Sequence, residues 1–386
     1  PKASQSTIEK QGKEINVNPI LSNMLINRGV ESFDQAKDYF RPSLSQLHDP
    51  FLMQDMHQAV TRIEKAIANQ EKILVYGDYD VDGTTAVALV YSFLKGFYPL
   101  VDFYIPDRYK EGYGISERGV RYAAENDFAL VIALDCGIKA IDKVNLASQL
   151  DVDFIICDHH TPGEELPKAI AVLDAKREDC NYPYKELSGC GVGFKLIQAI
   201  AKSRGMDESN LYAYLDLLVV SIAADIVPIT GENRILAYYG LDRINNTPRA
   251  GLKALILRSK IEKEIGISDI VFKIGPRINA SGGLEHAKAS VELLISTDLE
   301  EAIERAKVVD EVNATRRNFD ENITREAFEM IAEREEQAEW NSTVLFKEDW
   351  HKGVIGIVAS RCIEKYYRPT IILTESNAKA TGSARS

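Results

Sequence analysis

The side chains whose spacing carries chemistry in this chain are carboxylates. In GDYDVDGTTA, Asp78, Asp80 and Asp82 stand at every second position. In an extended segment such residues point to one side, and hard divalent cations prefer clustered carboxylate oxygens of this kind. A calcium-type loop counted from Asp78 has Gly83 at its sixth position but Leu89 at its twelfth, where Glu is required, so that reading fails. Asp82-Gly83-Thr84 instead reads as a helix start whose backbone N–H groups can receive a phosphate. Asp135 ends ALVIALD, and CDHH carries Asp158, His159 and His160. Imidazole with carboxylates suits Mn, Zn or Fe, whereas carboxylates alone suit Mg or Mn. Asp225, in ADIVPI, ends an apolar helical run. Alone it is an ordinary helix terminus; beside the other three motifs it can supply a fifth ligand.

These groups need elements that bring them together. From about residue 56 the chain alternates between patterns. Helices are expected over 56–69, 84–96, 116–126 and 141–150, and strands over 72–77, 101–105, 129–135, 152–158 and 169–174. Short Val- and Ile-rich runs separated by helical patterns indicate parallel strands buried on both faces. The expected architecture is therefore a doubly wound α/β sheet. Three of its strands then end in carboxylate or imidazole groups, at the edge where open parallel sheets bind ligands. Like charges so placed repel by roughly 1–4 kcal/mol per pair, and bound divalent cations are the simplest compensation.

The rest of the chain is plainer. Residues 1–50 read as a helical preface, with helices over 19–28 and 33–40 and with Pro42 and Pro50 closing it. After residue 190 the pattern turns helical. Residues 295–340 read as one or two long helices of about forty residues, roughly 60 Å, whose charge fits a spacer between two domains. Strand patterns resume at 342–346 and 370–374, so a second, smaller α/β domain is expected from about 341. Its end, GSARS, reads as a Gly/Ser loop followed by a truncation, because about 45 residues are marginal alone.

Length and composition bound the possibilities. The chain has 386 residues, which fits two or three domains. Its 46 Lys and Arg against 58 Asp and Glu give a net charge of −12, which excludes nucleic-acid binding through bulk positive charge. No apolar run is long enough to span a membrane, and the first residues carry no secretion signal. The five cysteines show no CxxC pair and read as buried thiols in a reducing cytoplasm.

GDYDVDG, LDCG, DHH and ADIVP, in this order and spacing, resemble the four motifs of the DHH phosphoesterase superfamily. KIGPRINASGGLEHA (273–287), WHKGVIGIVASR (350–361) and GSARS (382–386) resemble its RecJ branch, the bacterial single-strand-specific 5′→3′ DNA exonucleases. The resemblance covers residue 70 to the end. It implies an N-terminal helical segment (1–50), a DHH catalytic domain (51–245), a helical linker region (246–340) and the start of a DHH-associated domain (341–386).

It further implies a centre of two ions, Mn2+ or Mg2+, bridged by Asp135. Asp80, with Asp78, holds one ion; Asp82, His159 and Asp225 hold the other; His160 lies beside the scissile phosphate as a stabiliser or proton donor. Arg108, Arg277, Asn279, Ser383 and Arg385 match positions that bind the DNA and its terminal 5′-phosphate. Tyr109 and Tyr113, beside Arg108 and Lys110, are able to stack exposed bases. Tyr76 stands where many relatives carry His, so Asp78 is expected to take over that contact; Gly283 stands where relatives usually have Arg. The implied role is hydrolysis of single-stranded DNA in repair and recombination, in the cytoplasm, with a helicase and a single-strand-binding protein as partners and no membrane. Two alternatives stay open: another DHH phosphoesterase, acting on short RNA, cyclic dinucleotides or pyrophosphate, or a non-catalytic RecJ-like replication scaffold.

Overall fold

The computed structural model describes residues 4–108, 110–283, 287–333, 340–376 and 378–386, and no side chains from 281 to 287. Three short helices open the chain: α1 (Gln5–Glu14), α2 (Pro19–Ile26) and α3 (Phe33–Phe40). The first was not expected from the sequence, because QSTIEKQGKE has no apolar stripe; Ser4 caps it by accepting from Thr7 N.

The alternating region then builds α4 (Met56–Ala68), β1 (Lys72–Gly77), α5 (Val81–Lys95), β2 (Val101–Tyr104) and α6 (Glu117–Glu125). It continues with β3 (Phe128–Leu134), α7 (Ile141–Gln149), β4 (Asp153–Cys157) and β5 (Ala171–Leu173). All five strands are parallel, in the order β2-β1-β3-β4-β5. Burial alternates along each strand. Ile73, Val75, Leu130, Ile132, Leu134, Ile155 and Cys157 enter one core; Leu74, Tyr76, Val131, Ala133, Phe154 and Ile156 enter the other, with residues of α6 and α7. With both faces covered, a continuous apolar run is what each strand needs. The strand order reverses between β1 and β3, and ligands bind at the carboxyl ends of such a switch point. The loops after these two strands carry Asp78 and Asp135.

Helices complete this unit: α8 (Gly189–Ser203), α9 (Leu215–Ala224), α10 (Gly231–Asn246), α11 (Ala250–Arg258), the single turn α12 (Ile267–Asp269), α13 (Gly275–Gly283) and α14 (Ala287–Ile295). The long helix is continuous: α15 (Leu299–Ala332) has 34 residues, about 51 Å at 1.5 Å each. It is no bare spacer. Ala302, Ala306 and Val309 belong to the main core, while Ile323 and Ala327 belong to the core of the second unit. That unit consists of β6 (Thr343–Phe346), α16 (Ile355–Tyr366), β7 (Thr370–Ser376) and β8 (Lys379–Arg385), with β6 parallel and β8 antiparallel to β7.

GSARS therefore lies in strand β8 and not in a loop. An edge strand pairs on one side only, so it needs no apolar alternation, and polar residues there blunt the edge. Gly382 stands opposite Leu373, and a Cβ at that glycine would lie 2.3 Å from the leucine side chain.

Candidate metal centre

The carboxyl ends of β1, β3 and β4 bring Asp78, Asp80, Asp82, Asp135, His159 and His160 together, and the C-terminus of α9 adds Asp225. His159 Nε2 lies 3.2 Å from Asp135 Oδ1, 3.6 Å from Asp225 Oδ2 and 3.8 Å from Asp82 Oδ2. Two triads have one ligand atom from each member mutually within 4.8 Å: Asp135, His159 and His160, and Asp82, His159 and Asp225.

Two of these carboxylates are held by local structure. Asp80 caps α5, accepting from Gly83 N at 2.9 Å. Asp82 is almost fully buried. It accepts from Gly189 N at 2.7 Å, Cys190 N at 2.8 Å and Ser221 Oγ at 2.7 Å, so the start of α8 and a hydroxyl of α9 fix its plane. Gly189 is required there: a Cβ would sit 2.5 Å from Asp135 Cβ. Asp135 has φ 58°, a left-handed conformation that Asp adopts more readily than most residues and that gathers at functional sites.

The charge is only partly compensated by protein. Asp78 Oδ1 and Oδ2, Asp135 Oδ1, and both ring nitrogens of His159 are buried without a hydrogen-bond partner among the described residues. Burial first, and then Asp80, push Asp78 up to about 7; the nearby N–H groups of Tyr79 and Gly114 work against this without meeting hydrogen-bond geometry. Burial, followed by the neighbouring carboxylates, raises Asp80, carries Asp135 far above the usual carboxylate range, and takes Asp225 to about 7. Burial also lowers His159. Oxygen and imidazole groups buried together without partners are the donor set a divalent cation satisfies.

Asp158 behaves differently. Its carboxylate accepts from Ile138 N at 2.9 Å, His159 N at 2.7 Å, His160 N at 3.1 Å and His160 Nδ1 at 2.7 Å. Burial works upward, yet these donors hold Asp158 below its ordinary value. The bond to Asp158 is also the main reason His160 is raised. It fixes the ring with Nε2 outward, 3.3 Å from the Tyr113 hydroxyl. The residue before the two histidines is thus their orienter, and only the DHH pattern itself hinted at this.

Tyr76 faces away from the acidic cluster. Its hydroxyl donates to Gly114 O at 2.9 Å and accepts from Ser116 N at 3.1 Å, bracing the loop that carries Tyr113. With its hydroxyl so engaged, Tyr76 is not a candidate ligand, and Asp78 stands outside the two triads.

A second constellation lies where the two cores meet. A cavity of about 530 Å³ is lined by Arg108, Asn279, Arg316, Lys352, Ser360, Ser383 and Arg385 among others, with no carboxylate among the described residues of its wall. Arg108 also stacks over Tyr79, 5.2 Å from the ring centre. Gly356, in the first turn of α16, packs so closely that a Cβ would lie 3.1 Å from Ser383 Oγ and 3.2 Å from Arg385 Nη2. Ile355, Gly356 and Ile357, the first residues of α16, line the same cavity, and a helix start favours an anion.

Four of the five expected DNA-binding residues therefore converge. Arg277 does not: its Nε donates to Asp310 Oδ1 at 2.9 Å and its Nη1 to Lys273 O at 2.6 Å, so a carboxylate on α15 has claimed it. Lys110 pairs with Asp107 at 3.4 Å. Tyr109 and the surroundings of Gly283 lie outside the described residues.

Arg316 was missed, and its signal was present. Val309, Asn313, Arg316, Asp320 and Ile323 follow one another by three or four, so polar residues interrupt the apolar stripe of α15 in register. Asn313 and Asp320 are buried, and Arg316 Nε is buried without a partner among the described residues.

Comparison with known proteins gives the family of the chain. Residues 72–222 match the model of the DHH family, N-terminal domain. The chain is 34% identical over 397 residues to the single-stranded-DNA-specific exonuclease RecJ of Haemophilus influenzae, covering 97% of this chain and 67% of that protein. The chain belongs to the RecJ family. The RecJ of Bacillus subtilis is 40% identical over 99% of this chain, but only 48% of that protein is covered, so the chain spans about half its length. Among solved RecJ structures, that of Thermus thermophilus in complex with Mn2+ superimposes with a TM-score of 0.84 at 28% identity, over 100% of this chain and 54% of that one.

Proposed function

We propose that this chain hydrolyses the phosphodiester backbone of single-stranded DNA from its 5′ end, with two divalent cations, Mn2+ or Mg2+, in DNA repair and recombination. The observation that carries the reading is a cluster of buried carboxylate oxygens without partners near a cavity whose charged residues are all cationic. A molecule of net charge −12 has few places where DNA phosphate is welcome, and these two are complementary.

Asp135 would serve both ions, Asp80 and Asp78 one of them, and Asp82, His159 and Asp225 the other. When bound, such a pair supplies Lewis-acid charge for phosphoryl displacement and lowers the pKa of the attacking water. The remaining work falls to the chain itself. Asp158 holds His160 so that Nε2 faces the reacting phosphate, where it stabilises charge or passes a proton to the leaving oxygen. Arg108, Arg316, Lys352 and Arg385, with Asn279 and Ser383, grip the terminal 5′-phosphate. The planar arginine fork suits this because it makes two parallel bonds to phosphate oxygens. Tyr113 offers a ring face to a base without reading sequence.

A helicase that supplies single strands and a single-strand-binding protein that keeps them open are the partners such an activity calls for. The five buried free cysteines fit a reducing cytoplasm. The deciding experiment is Mn2+-dependent release of nucleotides from labelled single-stranded DNA beside a duplex control, with 5′-phosphorylated and 5′-capped strands compared on the parent and on Arg385→Ala. Preference for the phosphorylated single strand, weakened in the variant, is the expected result. Indifference of both proteins to the 5′ group would remove the end-reading role, and equal cutting of duplex would remove the strand specificity.

A further inference from the structure

A second cavity, of about 460 Å³, opens on the other side of His160. It shares no lining residue with the cationic cavity. One wall is Tyr113 and His160, whose rings meet edge to face at 6.3 Å. Ile115, Ile138 and Ile141 make its apolar surface, and Lys139 and Lys143 stand at its rim. Neither lysine forms a salt bridge among the described residues. The floor is preformed: Gly137 has φ 112°, and a Cβ there would lie 2.9 Å from Ile115 Cδ1. The neighbouring Asp158 carboxylate is already saturated by four N–H groups, and Asp142 is the other acidic group in the lining. A flat apolar ring bearing an anionic group fits these features, and a nucleotide has both.

The two cavities are joined by a row of contacts. Arg108 lies over Tyr79 at 5.2 Å, Tyr79 meets Tyr113 edge to face at 6.1 Å, and Tyr113 meets His160. Asp78 and Asp80 flank Tyr79 in sequence, so the row runs past the metal centre. A strand whose 5′-phosphate sits in the cationic cavity and whose first phosphodiester lies at His160 arrives next at the Tyr113 wall.

We infer that this cavity is the subsite for the nucleotide immediately 3′ of the bond being cut, with its base between Tyr113 and the isoleucines and the phosphate on its 3′ side near Lys139 and Lys143. The inference rests on the nuclease reading above and adds the second contact point of the strand.

The test removes one base at a time. A 5′-phosphorylated oligonucleotide with an abasic residue at the second position is compared with one abasic far from the 5′ end. On the parent protein the second-position lesion raises KM about tenfold, the scale of one lost base stack, with kcat nearly unchanged; the distant lesion does not. Ile141→Trp, which fills the cavity, raises KM on the intact strand by a similar factor and no longer distinguishes the two substrates. Lys139→Ala with Lys143→Ala flattens the dependence of log KM on log salt by about 0.7, the value for one phosphate contact on a single strand. Equal KM for both abasic substrates on the parent, with the 5′-phosphate preference intact, overturns the subsite alone. Absence of any single-strand cleavage by the parent overturns the nuclease reading and the subsite with it.

Discussion

The metal centre and the cationic cavity are opposites in charge and in construction. The first gathers carboxylates from neighbouring strand ends of one sheet, together with the end of α9. Its members are crowded and mostly buried, and backbone N–H groups hold Asp80 and Asp82 in place. The second draws on the loop after β2, on α13 and α15, and on α16 and β8 of the second unit. One is fixed by the sheet; the other exists only while two cores remain docked. On the proposed reading, the contrast makes cation binding a property of one folding unit and recognition of a strand end a property of the assembly.

Substitutions separate the two regions, beginning with the largest effect. Asp135→Ala removes the carboxylate common to both proposed ions and lowers Mn2+-dependent turnover by about 1000-fold or more, about 4 kcal/mol of barrier; near-parental turnover would break the metal assignment. In the same protein, Mn2+ at a hundredfold excess over its dissociation constant loses the stabilisation of about 2.7 kcal/mol expected for the parent, as read by thermal melting with and without chelator. Asp158→Asn keeps the shape but disturbs the orientation of His160, so kcat falls about 10–100-fold, as for other groups that position a ligand, while 5′-end preference is retained. Arg316→Ala leaves kcat in place and raises KM about tenfold, near the 1.5–3 kcal/mol of a bond to a charged group, because a half-buried guanidinium leaves the anion cavity. Arg277→Ala is the mildest. It loses a partly buried ion pair with Asp310 worth about 1 kcal/mol, visible as a lower melting temperature, and discriminates 5′-phosphorylated from capped strands like the parent.

The same contrast explains what could be read beforehand. The candidate metal centre was legible because strand ends in a doubly wound sheet converge by rule, so placing Asp78, Asp135 and His159 at one edge needed only correct strands around them. Asp225 was legible by motif order and not by chemistry. The cavity was visible only through family resemblance, since no local pattern says that Arg108 and Arg385 meet. That resemblance also placed Arg277 there, and Asp310, one residue past Val309 on α15, has taken its guanidinium instead. Strand β8 escaped because its side chains face solvent, and α1 because it is polar all round. The polar register of Asn313, Arg316 and Asp320 was readable in principle, but within a charged helix it looked like an exposed face.

Helix α15 gives the molecule a fixed gauge. Its seat in the first core ends at Val309 and its seat in the second begins near Asp320, so the stretch between them is about 16 Å of uninterrupted helix. On the proposed reading, the spacing between end grip and cutting point is thereby counted in residues. Four extra residues in that stretch would lengthen it by about 6 Å and turn the second unit by about 40°, and an enzyme so altered would measure its substrate with a different ruler.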